Sequence, residues 1–174
     1  MAIFQLRFPL DDIQRWAAEY SDFERDVRPI EIGDAARRAG FLARSEFLIL
    51  ARWKSPRPGK RHEHNDDDMV REVTRFAFST PNERLRLGAL TLLSGVLERT
   101  ASAILHLCHR DPYPLMDVRA FWSLGIDKVP ANWAAVWWEY TQECRAIAAR
   151  AKVDMRTLDR ALWAYSDAHG MIAC

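Results

Sequence analysis

Leu92-Leu93-Ser94-Gly95-Val96-Leu97-Glu98-Arg99-Thr100-Ala101-Ser102-Ala103-Ile104-Leu105, followed by Asp111-Pro112-Tyr113-Pro114-Leu115-Met116-Asp117-Val118-Arg119-Ala120, decides how this chain is read. Leucines lead into Gly95, a residue that accepts the left-handed backbone of a tight turn without a Cβ penalty. The pattern predicts a helix ending at that turn and a new helix from about Glu98. A loop bounded by Pro112 and Pro114 follows, then a helix opening at Asp117. A short turn between two helices points unpaired backbone N–H groups outward, and such groups bind a phosphate well.

Outward from this stretch, apolar residues recur at helical spacing and no segment alternates with period two. Asp11 and Asp12 are expected to cap a helix running to about Arg25, with Ile13, Trp16, Ala17, Tyr20 and Phe23 on one stripe. Pro29 and Gly33 are expected to break it, leaving a short helix capped by Asp34 and ended by Gly40. Ser45–Trp53 is apolar nearly all round and is predicted to be a central core helix. Another helix is predicted from Asp68 to Phe78. Thr80, Pro81 and Glu83 then form a capping box before the leucine-rich helix that enters the turn. Pro130 is expected to open a long helix carrying Trp133, Val136, Trp137, Tyr140, Cys144, Ile147 and Ala148. Asp154 should cap the last helix, which Gly170 closes. The fold class is all-α, with no repeat and no low-complexity tract.

With 174 residues, 49% of them apolar, the chain is expected to form one helical domain over 1–174. The net charge of +1 means that any nucleic-acid surface has to be a local patch, balanced by acid elsewhere. Three widely spaced cysteines, Cys108, Cys144 and Cys174, predict a reducing compartment rather than a disulfide framework. The N-terminus lacks a leader pattern and no apolar run is long enough to span a bilayer, so a cytoplasmic location and no membrane partner are expected.

The segment from Lys54 to Asp68 is a loop by its prolines and glycine, basic in its first half and acidic in its second. It admits three readings. It is a solvated connection whose aspartates favour the next helix N-terminus. Or its Lys54, Arg57, Lys60 and Arg61 contact phosphates. Or His62, His64 and the aspartates hold a metal, although no second ligand cluster follows downstream.

Leu93-Ser94-Gly95-Val96-Leu97-Glu98-Arg99-Thr100-Ala101 resembles the helix-hairpin-helix of the DNA glycosylase superfamily, whose pattern is L-P-G-V-G-x-K-T-A. Asp117 stands eighteen residues after Arg99, which matches the family's spacing from the lysine position to its aspartate. The resemblance is specific over residues 92–125. It implies a DNA-glycosylase-like fold with a helix-hairpin-helix core over about 40–170 and an N-terminal helical extension over 1–39. By the same resemblance DNA is the partner, contacted through Gly95, Val96, Leu97, Arg99 and Thr100, and Asp117 is the catalytic carboxylate. A fixed carboxylate beside the sugar C1′ stabilises the cationic transition state of base release and positions water. An aspartate after such a loop is also a common helix N-cap.

Two departures narrow the expectation. Leu97 stands where the family has a second glycine, and its side chain either alters the turn or projects toward the phosphate. Arg99 stands where bifunctional members carry a nucleophilic lysine. Arginine stays protonated near neutral pH and is a poor nucleophile, so strand-cleaving lyase chemistry is not expected. The family's iron–sulfur loop is missing, and no metal or cofactor is expected. Trp53, Trp122 and His109 are candidates by type for stacking on an extruded base, although seven tryptophans in a helical protein are mostly packing. Three functions stay open: a monofunctional base-excision enzyme using Asp117 and water, a non-catalytic DNA-binding module, and a helical interaction protein. A monomer is expected.

Overall fold

A computed structural model describes residues 4–56, 59–128 and 131–171. Among them no strand occurs, and the chain is all-α. In chain order the helices are α1 (Ile13–Ala18), α2 (Phe23–Ala39), α3 (Arg44–Lys54), α4 (Asp67–Ser79), α5 (Glu83–Leu90), α6 (Glu98–Cys108), α7 (Val118–Ser123), α8 (Trp133–Ala151) and α9 (Met155–Ala168). Short 3-10 helices occupy Leu10–Asp12 and Gly59–His64. The chain packs as two compact units. One joins Met1–Phe23 to Pro112–Cys174, and the other is Glu24–Asp111. No helix among the described residues is long and apolar enough to cross a membrane.

The first helix differs most from its expected form. α1 stops at Ala18, and α2 then runs unbroken through Pro29 and Gly33. Pro29 forgoes one backbone hydrogen bond but lies buried, so the ring adds apolar contact where it would otherwise only disrupt. Gly33 is there for close packing rather than for a break. A Cβ at this position would stand 2.9 Å from the Leu107 carbonyl carbon and closer still to its oxygen. The Arg37 guanidinium donates to that same carbonyl and also pairs with Asp34.

Other boundaries shift for traceable reasons. Thr80 does not cap α5. Its hydroxyl accepts from the Asn82 N–H (3.3 Å), and its carbonyl receives the buried Arg86 guanidinium from Nε (3.1 Å) and Nη2 (2.8 Å). Asn82 takes over as the cap, accepting from the Arg84 N–H at 3.2 Å. α4 begins one residue early because Asp66 is its cap, accepting from the Met69 N–H at 2.7 Å. α3 buries Phe47, Leu50 and Ala51 but leaves Ile49 38% exposed, so it faces the core on one side only. Asp154 caps α9 as expected, accepting from the Thr157 N–H at 2.6 Å. Pro130 lies outside the described residues; within them α8 is capped by Asn132. Cys108 and Cys144 are buried free thiols, pushed up in pKa by desolvation, and Cys174 lies outside the described residues.

Candidate nucleic-acid interface

The Glu24–Asp111 unit holds the hairpin. α5 ends at Leu90, and the turn through Ser94 and Gly95 leads to α6 at Glu98. Gly95 has φ +81°, the left-handed position that the sequence assigned to it. Leu93, Val96, Thr100 and Ala101 are buried and anchor both ends of the turn in the core. Leu97 is the N-cap of α6 yet offers no side-chain acceptor, and it stands 69% exposed. The N-cap residue of α6 therefore makes no side-chain cap bond to its first turn. The Val96 N–H bonds to the Leu93 carbonyl at 3.0 Å. Among the described residues, the Gly95 and Leu97 N–H groups donate to no protein acceptor.

The turn is clasped by two residues from the loop that follows α3. Asn65, 4% exposed, accepts the Ser94 N–H at 2.7 Å and donates from Nδ2 to the carbonyls of Ser94 (3.0 Å) and His62 (2.9 Å). His62 is fully buried, and its Nε2 donates to the Gly95 carbonyl at 3.0 Å. That bond assigns the Nε2–H tautomer and leaves Nδ1 a buried, unpaired acceptor. The ring's edge packs so closely that a Cβ at Gly95 would lie 2.7 Å from His62 Cδ2. Arg44 holds the clasp from behind, donating to the Asn65 carbonyl (2.7 Å) and the Glu63 carbonyl (2.8 Å). Arg52 pairs with Glu63 at 2.6 Å.

This clasp brings two separately predicted pieces together. Arg61, exposed, precedes His62, and its Cβ would lie 3.1 Å from a Cβ on Gly95. Lys60 is exposed beside it, and Lys54 is half-buried at the end of α3. Arg57 lies outside the described residues. The hairpin unit carries sixteen Lys and Arg against thirteen Asp and Glu, while the other unit carries nine against eleven. The positive excess of the chain is thus concentrated in the unit that bears the turn. Arg99 and Thr100 sit in the first turn of α6, Arg99 half-buried and Thr100 buried.

Asp117 belongs to the other unit. It caps α7, accepting the Arg119 N–H at 3.0 Å, and remains half-exposed. The segment before it is firmly held. The Tyr140 hydroxyl donates to the Leu115 carbonyl at 2.9 Å, and Arg145 Nε donates to the Pro112 carbonyl at 2.8 Å. Tyr113 stacks on Trp137 with centroids 5.8 Å apart, and Met116 is fully buried. These contacts fix the backbone that leads into Asp117.

The aromatic candidates scatter. Trp53 is half-buried at the end of α3, where its carbonyl accepts from Arg25 at 2.7 Å. Trp122, in α7, lies between the Arg7 guanidinium (4.5 Å from the ring) and Tyr165 (centroids 5.8 Å apart). His109 is 4% exposed, edge-on to Phe78, and its Nδ1 accepts the Asp111 N–H at 2.9 Å, so it presents no free ring face. His62 stands out in the sequence only as a metal-ligand type, not as a partner of the turn, and Asn65 carries no mark there. They lie 33 and 29 positions from their partners in the turn, and no local pattern marks such a pairing.

Both buried histidines are held neutral. Desolvation lowers the pKa of His62, opposed by its bond to the Gly95 carbonyl. Desolvation lowers that of His109 as well, reinforced by Arg86 and opposed by Asp111. A histidine with a depressed folded pKa binds its proton more readily when unfolded. Its contribution to stability is therefore complete above about pH 6.5, the unfolded value, and shrinks as the pH falls toward the folded one. We expect urea midpoints to decline between pH 7 and pH 5, and His62→Gln, which can still donate to Gly95, to flatten that decline. An equal decline in the variant would remove His62 as a source.

No family model, curated protein or solved structure matches this chain.

Proposed function

We propose that this protein binds DNA through its hairpin and acts as a monofunctional base-excision enzyme, releasing a damaged or modified base with water. The observation that carries the reading is the left-handed Gly95 turn, clasped by Asn65 and His62, with no side-chain cap from Leu97 at the start of α6 and Arg61 beside the turn. Outward amides and the positive end of a helix favour a phosphate oxygen, and a neighbouring guanidinium adds a charge-assisted contact. Phosphate contacts of this kind position a protein without reading sequence.

Asp117 is the proposed carboxylate of the chemistry. The fixed backbone leading into it supports charge stabilisation of an oxocarbenium-like sugar, with water as the attacking group. Arg99 in the lysine position argues against a Schiff-base lyase step. A second reading, a DNA-binding module without chemistry, is favoured by the fact that the Asp117 carboxylate already serves α7 as its cap.

The test is a panel of duplexes carrying damaged or modified bases, incubated with the full chain and scored for abasic sites with and without alkali. Alkali-dependent breaks are expected, and their absence on every substrate would leave only the binding module. Neutralising Lys54, Arg57, Lys60 and Arg61 together should weaken duplex binding and reduce the slope of log affinity against log salt, by up to about 0.9 per lost phosphate contact. An unchanged slope would take this loop out of the interface.

A further inference from the structure

The unit that joins Met1–Phe23 to Pro112–Cys174 carries a cavity that the DNA reading does not use. It holds about 220 Å³ between the N-terminal segment and α8, with Phe4, Leu6, Leu10 and Ile147 in its walls and Glu143 and Arg150 also lining it. Glu143, Ile147 and Arg150 are spaced i, i+4 and i+7, so they share one face of α8. Glu143 is half-buried and Arg150 exposed. Among the described residues, neither side chain makes an ion pair or a hydrogen bond.

The wall opposite α8 is backbone. The Gln5 N–H donates to the Leu124 carbonyl at 2.9 Å, and the Arg7 N–H donates to the Ser123 carbonyl at 3.0 Å. Bonds made by alternate residues turn one edge of this segment toward the end of α7, and Leu6 between them faces the other way. Among the described residues, the Leu6 N–H and carbonyl have no hydrogen-bond partner. The Phe4 ring packs against Phe121 and Tyr140, with centroids 5.8 and 5.7 Å away, and holds the segment in place.

We propose that this cavity binds a dipeptide with free termini, its ammonium on Glu143, its carboxylate on Arg150 and its peptide group against Leu6. Three features select that ligand. The first is charge: an anion alone would leave Glu143 unanswered and a cation alone would leave Arg150 unanswered, whereas a zwitterion meets both. The second is length. The two positions lie about 10 Å apart along the helix axis. Two extended residues cover about 7 Å, and the charge-assisted bonds at the ends supply the rest. The third is the free backbone edge at Leu6, which offers one donor and one acceptor to one peptide group, as an added strand would use them. The volume is below the roughly 300–1,000 Å³ of sites for drug-sized molecules, which suits a ligand this small.

Titration of the full chain with dialanine, alanyl-leucine and leucyl-alanine, followed by amide NMR, tests the site. Saturable shifts are expected at Leu6, Glu143 and Arg150. Acetylating the amine or amidating the carboxylate of the peptide should each weaken binding at least about tenfold. Glu143→Gln and Arg150→Gln should do the same for the free peptides. Glu143→Gln should leave the affinity of the acetylated peptide unchanged, because the bond it removes is already lost. Neither side chain has a partner within the free protein, so the melting temperature of both variants should stay close to that of the wild type. Absence of saturable binding by all three peptides up to about 10 mM overturns the proposal. So does equal binding of peptides blocked at both ends, which would show that the cavity takes the middle of a longer chain. Duplex binding is a separate measurement, and a failure here leaves the DNA reading as it stands.

Discussion

Asp117→Asn is expected to lower base release by about a hundredfold or more, while the protein melts almost as before. Asparagine has the same size as aspartate and can still accept the Arg119 N–H that now bonds to the carboxylate at 3.0 Å. It is an equally good N-cap, so the stability change should be about 1 kcal/mol or less. What it lacks is the negative charge. If that charge stabilises a cationic sugar, its removal withdraws about 3 kcal/mol or more from the transition state and leaves the ground state nearly untouched. Single-turnover base release and a thermal melt on the same preparation separate the two roles. Activity that survives the substitution would show that Asp117 only caps α7.

Gly33→Ala should destabilise the protein by about 2–4 kcal/mol, although alanine is the better helix former. In an open helix interior the change would stabilise by up to about 1 kcal/mol. At this site the new methyl would meet the Leu107 carbonyl, which is backbone in α6 and cannot swing away as a side-chain tip could. Either α2 retreats, loosening the Arg37 bond to the same carbonyl, or the strain remains. Urea denaturation of the variant gives the sign directly. A neutral or stabilising result would mean that α2 and α6 do not approach this closely in solution.

Features set by neighbours in the chain were legible from the residues. The turn at Gly95, the new helix at Glu98, the cap at Asp117 and the cap at Asp154 all came from short-range rules: a positive φ that suits glycine, and a carboxylate that accepts from an N–H two or three residues ahead. The all-helical class followed from apolar spacing for the same reason, since side chains one turn apart share a face.

Where two local rules competed, the residues alone did not choose. Thr80 and Asn82 are both good caps, and Asn82 serves because Arg86 and the turn engage Thr80. Pro29 and Gly33 carry breaker chemistry, yet burial of the ring and the nearness of Leu107 turn both into packing residues inside one long helix.

The candidate interface divides along the same line. Gly95 and the basic run were each visible as residue types, but nothing in the order of the chain joins them. Asn65 and His62 do so by filling the backbone bonds of the turn from about thirty residues away, and this sets Arg61 against it. The sequence by itself determined where the chain turns and which residues can bear charge or accept a proton. Which of them meet was decided by the tertiary structure, because buried polar groups must find partners and close-packed helices accept only those that fit.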